Sequence, residues 1–173
     1  MLDLVYNYKL LLARIDALCM GIETALGEQI TCSEGCSSCC TAITLFPVEA
    51  AALRDALDAL PEQESEAIRQ HVVQKASGER CPLLSHHLCL LYSARPIICR
   101  THGLPIIYSE DNQHKSDCCP LNMTETESVS GQHVIDLDRL NSLLVVVNSL
   151  YLSQAEEADC PERLTIAEAL TRL

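Results

Sequence analysis

Residues 32–40 read Cys32-Ser33-Glu34-Gly35-Cys36-Ser37-Ser38-Cys39-Cys40, four cysteines set among small and acidic residues. The run has neither the 3.6-residue nor the two-residue apolar period of a helix or strand, so it reads as a loop. Two or three intervening residues let a chain turn back on one ion, and around a tetrahedral zinc with Zn–S near 2.3 Å the sulfurs lie roughly 3.8 Å apart. The spacings from Cys32 to Cys39 suit zinc or an iron–sulfur cluster equally. Cys39 and Cys40 add information, because neighbouring side chains of an extended segment point to opposite sides. In a turn both can serve one ion; otherwise they suit two nearby centres, or one larger cluster reached from two sides.

A second cysteine-rich region follows: Cys81-Pro82-Leu83-Leu84, then Cys89, then Arg95-Pro96-Ile97-Ile98-Cys99-Arg100, then Cys118-Cys119-Pro120. Nine of the eleven cysteines fall in these two groups, and only Cys19 and Cys160 lie outside. One buried cysteine is usually an inert thiol; nine in two groups are better read as metal ligands. The candidate ligands are Cys32, Cys36, Cys39, Cys40, Cys81, Cys89, Cys99, Cys118 and Cys119. Either Cys118 or Cys119 serves equally well on sequence grounds. Arg95 and Arg100 flank Cys99 and are expected either to offset thiolate charge or to pair with acidic residues. His102 reads as a surface or core residue ahead of a ligand, and His86 and His87 as a solvated loop. Tyr92 and Pro96 read as packing and helix-start residues.

Outside these regions the chain is helical in pattern. Leu4, Tyr8, Leu11, Ile15, Leu18 and Ile22 share one face of an N-terminal helix, widened by Val5, Leu12, Cys19 and Leu26, and Gly27 is its stop signal. Cys19 is therefore a core position. Pro47 opens a second helix with a stripe from Val48 to Leu60. Pro61 ends it, and a more polar helix runs from Glu62 to about Ser77. Pro96 starts a short helix through Thr101, Ile106–Tyr108 is a short strand, and residues 122–133 form a surface loop. Leu137, Leu140, Leu144, Val147 and Tyr151 mark a strong helix, and a last one begins at Pro161. The expected fold is mostly α, helices packed around a cysteine-rich loop core that binds metal. It makes one domain over 1–173: an N-terminal helix at 1–27, the metal-binding core at 28–120, and C-terminal helices at 134–173.

Composition narrows the function. Twelve Lys and Arg stand against 24 Asp and Glu, a formal net charge of -12, so phosphate backbones and anionic lipid are repelled and nucleic acid is not an expected partner. No apolar stretch is long enough to span a membrane. Asp3 precedes any basic residue, and Lys9 and Arg14 interrupt the apolar positions, so no secretory signal pattern is present. The expected compartment is the cytoplasm, where thiols stay reduced and a cysteine-rich chain points to metal or redox chemistry rather than disulfides.

The ordered elements Cys36 to Cys40, Cys81-Pro82-Leu83-Leu84, Cys89 with Tyr92, Arg95-Pro96 and Cys99-Arg100 resemble the bacterial CxxCxxCC, or cysteine cluster, family of zinc- or iron-chelating proteins. The resemblance spans about residues 32–120. The leading spacing, Cys32-x3-Cys36, is one residue longer than the family name implies. The resemblance implies chelation by about eight cysteines, with zinc or an iron–sulfur cluster as cofactor, metal ions as the partner, and room for a protein partner. Structural zinc sites more often use two separated Cys-x2-Cys knuckles, which leans the reading toward iron–sulfur, with electron transfer or redox sensing as its use. A zinc-stapled interaction module is the alternative. A related motif in flagellin lysine methylases keeps a metal-dependent group-transfer enzyme open as another. The Cys32-x3-Cys36-x2-Cys39 spacing is also that of radical S-adenosylmethionine enzymes, but no strand–helix alternation for their barrel is present.

Overall fold

The structure, a computed structural model, describes residues 3–33, 35–124, 129–155 and 160–171. Its helices are α1 (Tyr6–Leu26), α2 (Pro47–Asp58), α3 (Glu62–Lys75), α4 (Ile97–Thr101), α5 (Leu137–Ala155) and α6 (Ile166–Thr171). Its strands are β1 (Thr44–Leu45), β2 (Leu84–Ser85), β3 (Leu88–Cys89), β4 (Ile106–Glu110), β5 (Gln113–Asp117), β6 (Ile135–Asp136) and β7 (Leu164–Thr165). They gather into two compact units. The first is Met1–Lys9, Glu34–Pro96 and Val147–Leu173; the second is Leu10–Ser33 and Ile97–Val146.

The buried stripe of α1 is Tyr8, Leu11, Ile15, Cys19, Ile22 and Leu26, at steps of three and four, the period of one helix face. Leu4 and Leu18, expected on that face, are 37% and 42% exposed, and Cys19 takes the inward position at 6%.

In the first unit α2 begins on Pro47, whose missing N–H costs nothing at a first helical position. Glu49 accepts the Phe46 N–H at 3.1 Å, and the Val48 N–H is satisfied by Asn148 Oδ1 at 3.1 Å. Glu62 and Glu64 open α3 and Lys75 closes it, each sign suited to its end of the helix dipole. The core is aliphatic: Leu45, Leu57, Val72, Ala169 and Leu170 are fully buried, with Cys81 and Cys89 packed only at its edge. Leu164 and Thr165 pair antiparallel with Leu45 and Thr44. The Arg163 guanidinium fixes this ribbon, donating to Thr44 Oγ1 and O at 2.9 Å and stacking over Phe46 at 4.3 Å. The last helix therefore starts at Ile166, not at Pro161 as expected, because the strand pairing claims residues 164–165. Thr165 and Glu168 exchange hydrogen bonds of 2.8 and 3.1 Å across its first turn, a reciprocal cap.

In the second unit β4 lies between β5 and β6, antiparallel to the first and parallel to the second. Asp111 and Asn112, both at positive φ (53° and 59°), make the two-residue turn joining β4 to β5; such turns match the right-handed twist of a hairpin and favour Asp and Asn. The short strand expected at Ile106–Tyr108 thus extends to Glu110 and finds a polar partner. Asp136 Oδ1 accepts the Arg139 N–H at 2.9 Å and caps α5, as short acidic side chains do before a first turn.

The expectation of a mostly α fold around a metal-binding loop core is corrected. Helices take 54% of the structure and strands 14%, in three small sheets. The fold is mixed α/β, because short segments on either side of the cysteines find backbone partners far along the chain.

Candidate metal centre

The cysteines enter the first unit through backbone pairing. Thr41 and Arg80 form an antiparallel bridge, and the Cys81 N–H donates to Cys40 O at 3.1 Å, which sets Cys40 and Cys81 on neighbouring chains. From Cys81 the chain turns, Leu84 N–H to Cys81 O at 3.0 Å, into the β2–β3 hairpin, where Leu84 stands opposite Cys89. His86 and His87 form the tip of this hairpin at φ of 47° and 68°. The tip is tied to the cysteine loop, because His87 Nδ1 and the buried Ser37 Oγ are 3.0 Å apart. The Arg80 guanidinium donates to the Ser37 and Ser38 carbonyls.

The thiols of this unit feel one another. Burial, then the neighbouring Cys39, Cys81 and Cys89, push the Cys40 thiol up to about 11. Burial also raises Cys81, opposed by the backbone N–H groups of Leu83 and Leu84 and by the Arg80 guanidinium. Cys89 is raised by burial and opposed by the Leu91 N–H and by Arg95. Donors and cations of this kind favour the thiolate over the thiol. Arg95, stacked 3.7 Å over Tyr92, thus acts on Cys89. Arg100 grips Asp16 with two bonds of 2.8 and 2.9 Å. Cys36 Sγ lies 3.7 Å from Ser38 Oγ.

The second unit is organised by Asn122, which is 3% exposed. Its Oδ1 accepts the Thr31 and Cys32 N–H groups at 2.9 and 3.1 Å, and its Nδ2 donates to Gly103 O at 2.6 Å. The Cys119 N–H also donates to Gly103 O, at 3.3 Å. Gly103, at φ +94°, lies near both cysteines: a Cβ there would be in ordinary contact with Cys119 Cβ at 3.6 Å and Cys32 Cβ at 3.8 Å. Burial raises the Cys118 thiol, helped by Asp117 and Cys119. Cys99 sits in the middle of α4. Cys19 Sγ points at the Arg100 carbonyl from 3.7 Å.

Of the nine candidate ligands, Cys36, Cys39, Cys40, Cys81 and Cys89 lie in the first unit and Cys32, Cys99, Cys118 and Cys119 in the second. All nine are half-buried thiols, and none is in a disulfide. Among the described residues no three His, Cys, Asp or Glu side chains are already close enough to hold one ion. The donor chemistry nonetheless fits a thiophilic metal, and rotation between staggered χ1 wells moves a cysteine sulfur by about 3 Å. His102 and His86 are exposed. Arg80, Ser37, Gly103 and Asn122 escaped the sequence reading; only Arg80, next to Cys81, carried a signal of its own. The polar run at 122–133, read as a surface loop, begins with a buried residue, and its positions 125–128 lie outside the described residues.

A family model, CxxCxxCC, "Putative zinc- or iron-chelating domain", matches residues 31–120. No curated protein and no solved structure matches the chain. No described helix is long and apolar enough to cross a membrane.

Proposed function

The chain belongs to the CxxCxxCC family of zinc- or iron-chelating domains, and from that premise we propose that it is a metal-binding protein whose cysteines hold an iron–sulfur centre for electron transfer or redox sensing. One observation supports this reading: the Thr41–Arg80 bridge and the Cys81 N–H on Cys40 O set Cys40 beside Cys81, the β2–β3 hairpin brings Cys89 back opposite Leu84, and Arg80 and Arg95 are the cations that oppose the upward shifts of Cys81 and Cys89. Charges and dipoles beside the sulfurs would set the potential of a bound cluster.

The chemistry of loading follows from the same groups. A coordinating thiol loses its proton outright, so Cys40, Cys81 and Cys89 would each release a proton to solvent on binding a metal. Arg80 and Arg95 would offset the negative charge left on sulfur. The adjacent Cys39–Cys40 pair suits a cluster, which offers more than one metal atom to neighbouring ligands, and in the turn closed by the Cys40 N–H on Ser37 O it suits a single ion as well. Zinc in the same thiolates would instead staple the fold.

The test is metal content per folded chain, by mass spectrometry, in two serine variants. Cys81→Ser is expected to lower it and Cys19→Ser to leave it unchanged. Full metal content in Cys81→Ser, or a loss in Cys19→Ser equal to that in Cys81→Ser, would contradict the assignment.

A further inference from the structure

We propose that two copies of the chain pair through the outer face of α1, antiparallel about a two-fold axis level with residues 15–16 of each helix. Opposite its buried stripe, α1 carries a second, uncharged one. Tyr6, Leu10, Ala13, Ala17, Met20 and Thr24 follow one another at steps of four and three, the period of one helix face. Tyr6, Leu10 and Met20 are 56%, 44% and 63% exposed, and Ala13, Ala17 and Thr24 are exposed with them. The Thr24 hydroxyl is satisfied by Met20 O at 2.7 Å.

The stripe is complementary to itself when reversed. Leu10 and Met20 lie five positions either side of Ile15, Ala13 and Ala17 two, and Tyr6 and Thr24 nine. A two-fold axis at that level lays Leu10 against the copy's Met20 and Ala13 against its Ala17. The small central residues let the two helix axes approach to about 8 Å, the near end of helix–helix spacings. The face is open at its Gly21 edge, where an added Cβ would meet nothing within 4 Å. One helix face is a small interface beside the ~800 Å² per partner of a standard one, so the dimer is expected to dissociate on dilution.

Charge selects a second copy and its direction. Lys9, Asp16 and Glu23 recur every seven residues along one flank of the stripe. In an antiparallel pair that flank faces the same flank of the copy. Lys9, seven positions before Asp16, then stands level with the copy's Glu23, seven after it, and the two-fold axis makes the attraction twice. Asp16 faces its own copy near the axis, but its carboxylate already holds the Arg100 guanidinium at 2.8 and 2.9 Å. Arg14, on the other flank, has a stem long enough to carry its charge to solvent. A parallel pair would instead set one flank against the other and bring Lys9 toward the copy's Arg14, like against like.

The experiment is sedimentation velocity of the full-length chain, as purified and under reductant, from micromolar to near-millimolar concentration. Salt at about 0.15 M screens charges separated by more than about 8 Å, which limits repulsion between two chains of net charge -12. Wild type is expected to pass from monomer to dimer across this range, and Ala17→Glu to stay monomeric with native circular dichroism. Lys9→Glu is expected to weaken the dimer about tenfold, since two exposed pairs turn repulsive, and Lys9→Glu with Glu23→Lys to restore it. A wild type that is monomeric throughout would overturn the proposal. So would an Ala17→Glu dimer as tight as wild type, or a double charge reversal no tighter than Lys9→Glu alone. Should Ala17→Glu fail to fold, the charge-reversal series decides.

Discussion

Replacing Asn122 with Ala removes one buried side chain that holds three backbone groups. Asn122 Oδ1 accepts from the Thr31 and Cys32 N–H groups, and Nδ2 donates to Gly103 O. The three losses are unequal. Thr31 is exposed, so water replaces its partner, and Gly103 O keeps the Cys119 N–H. The half-buried Cys32 N–H bears most of the cost. An unsatisfied buried donor costs about 1–3 kcal/mol, and the weakened Gly103 bond adds about 1 kcal/mol. The expected destabilisation is therefore about 2–4 kcal/mol, a large share of the ~5–15 kcal/mol that holds a native domain. Urea denaturation followed by circular dichroism measures it. Thr31→Val is the control, since it keeps the Thr31 backbone N–H and removes only a hydroxyl bonded to Leu121 O and Asn122 Oδ1, at an expected cost of about 1 kcal/mol. An Asn122→Ala midpoint matching wild type, or Thr31→Val costing as much as Asn122→Ala, would refute the reasoning.

Two further outcomes follow from the same structure. Gly103→Ala is expected to destabilise by about 1–2 kcal/mol from its φ of +94° alone, with more from the Asn122 Nδ2 only 3.4 Å from the new Cβ; a urea midpoint equal to wild type would contradict it. In metal-free protein, Cys40, Cys81, Cys89 and Cys118 hold their protons more tightly than a thiol at the ordinary 9.0. Their stabilisation is complete below the unfolded value and fades as pH climbs through the folded ones, toward about 11 for Cys40, since the folded state then binds more protons than the unfolded. Urea midpoints of metal-free protein should fall between about pH 8 and about pH 11, and a rising midpoint would show the sign to be wrong.

Much of the helical frame was legible because its signals are local. Pro47 and Pro61 mark real boundaries, and Tyr8, Leu11, Ile15 and Ile22 of the predicted α1 stripe are buried while Leu4 and Leu18 are not, with Cys19 at a core position. What escaped depends on distant partners. The strands β1, β2, β3, β6 and β7 are two residues each, too short to show a period. β5, Gln113–Asp117, is polar throughout, and only the Asp111–Asn112 turn hints at the hairpin. Residues 164–165 give no sign that they pair with Thr44 and Leu45. Asn122 looks like any polar loop residue until its partners, Thr31 and Cys32, come into view from the other end of the second unit. Cys32 and Cys36, four positions apart in sequence, fall in different units, which their spacing does not reveal.

The central claim is that these cysteines hold a metal. It is tested most directly on untagged protein purified without oxygen, by visible spectrum, metal content and acid-labile sulfide on one sample. The account predicts a brown protein with iron and sulfide in equal amounts. Colourless protein with stoichiometric zinc would replace the cluster while keeping chelation, and folded, soluble protein with neither metal would contradict the claim.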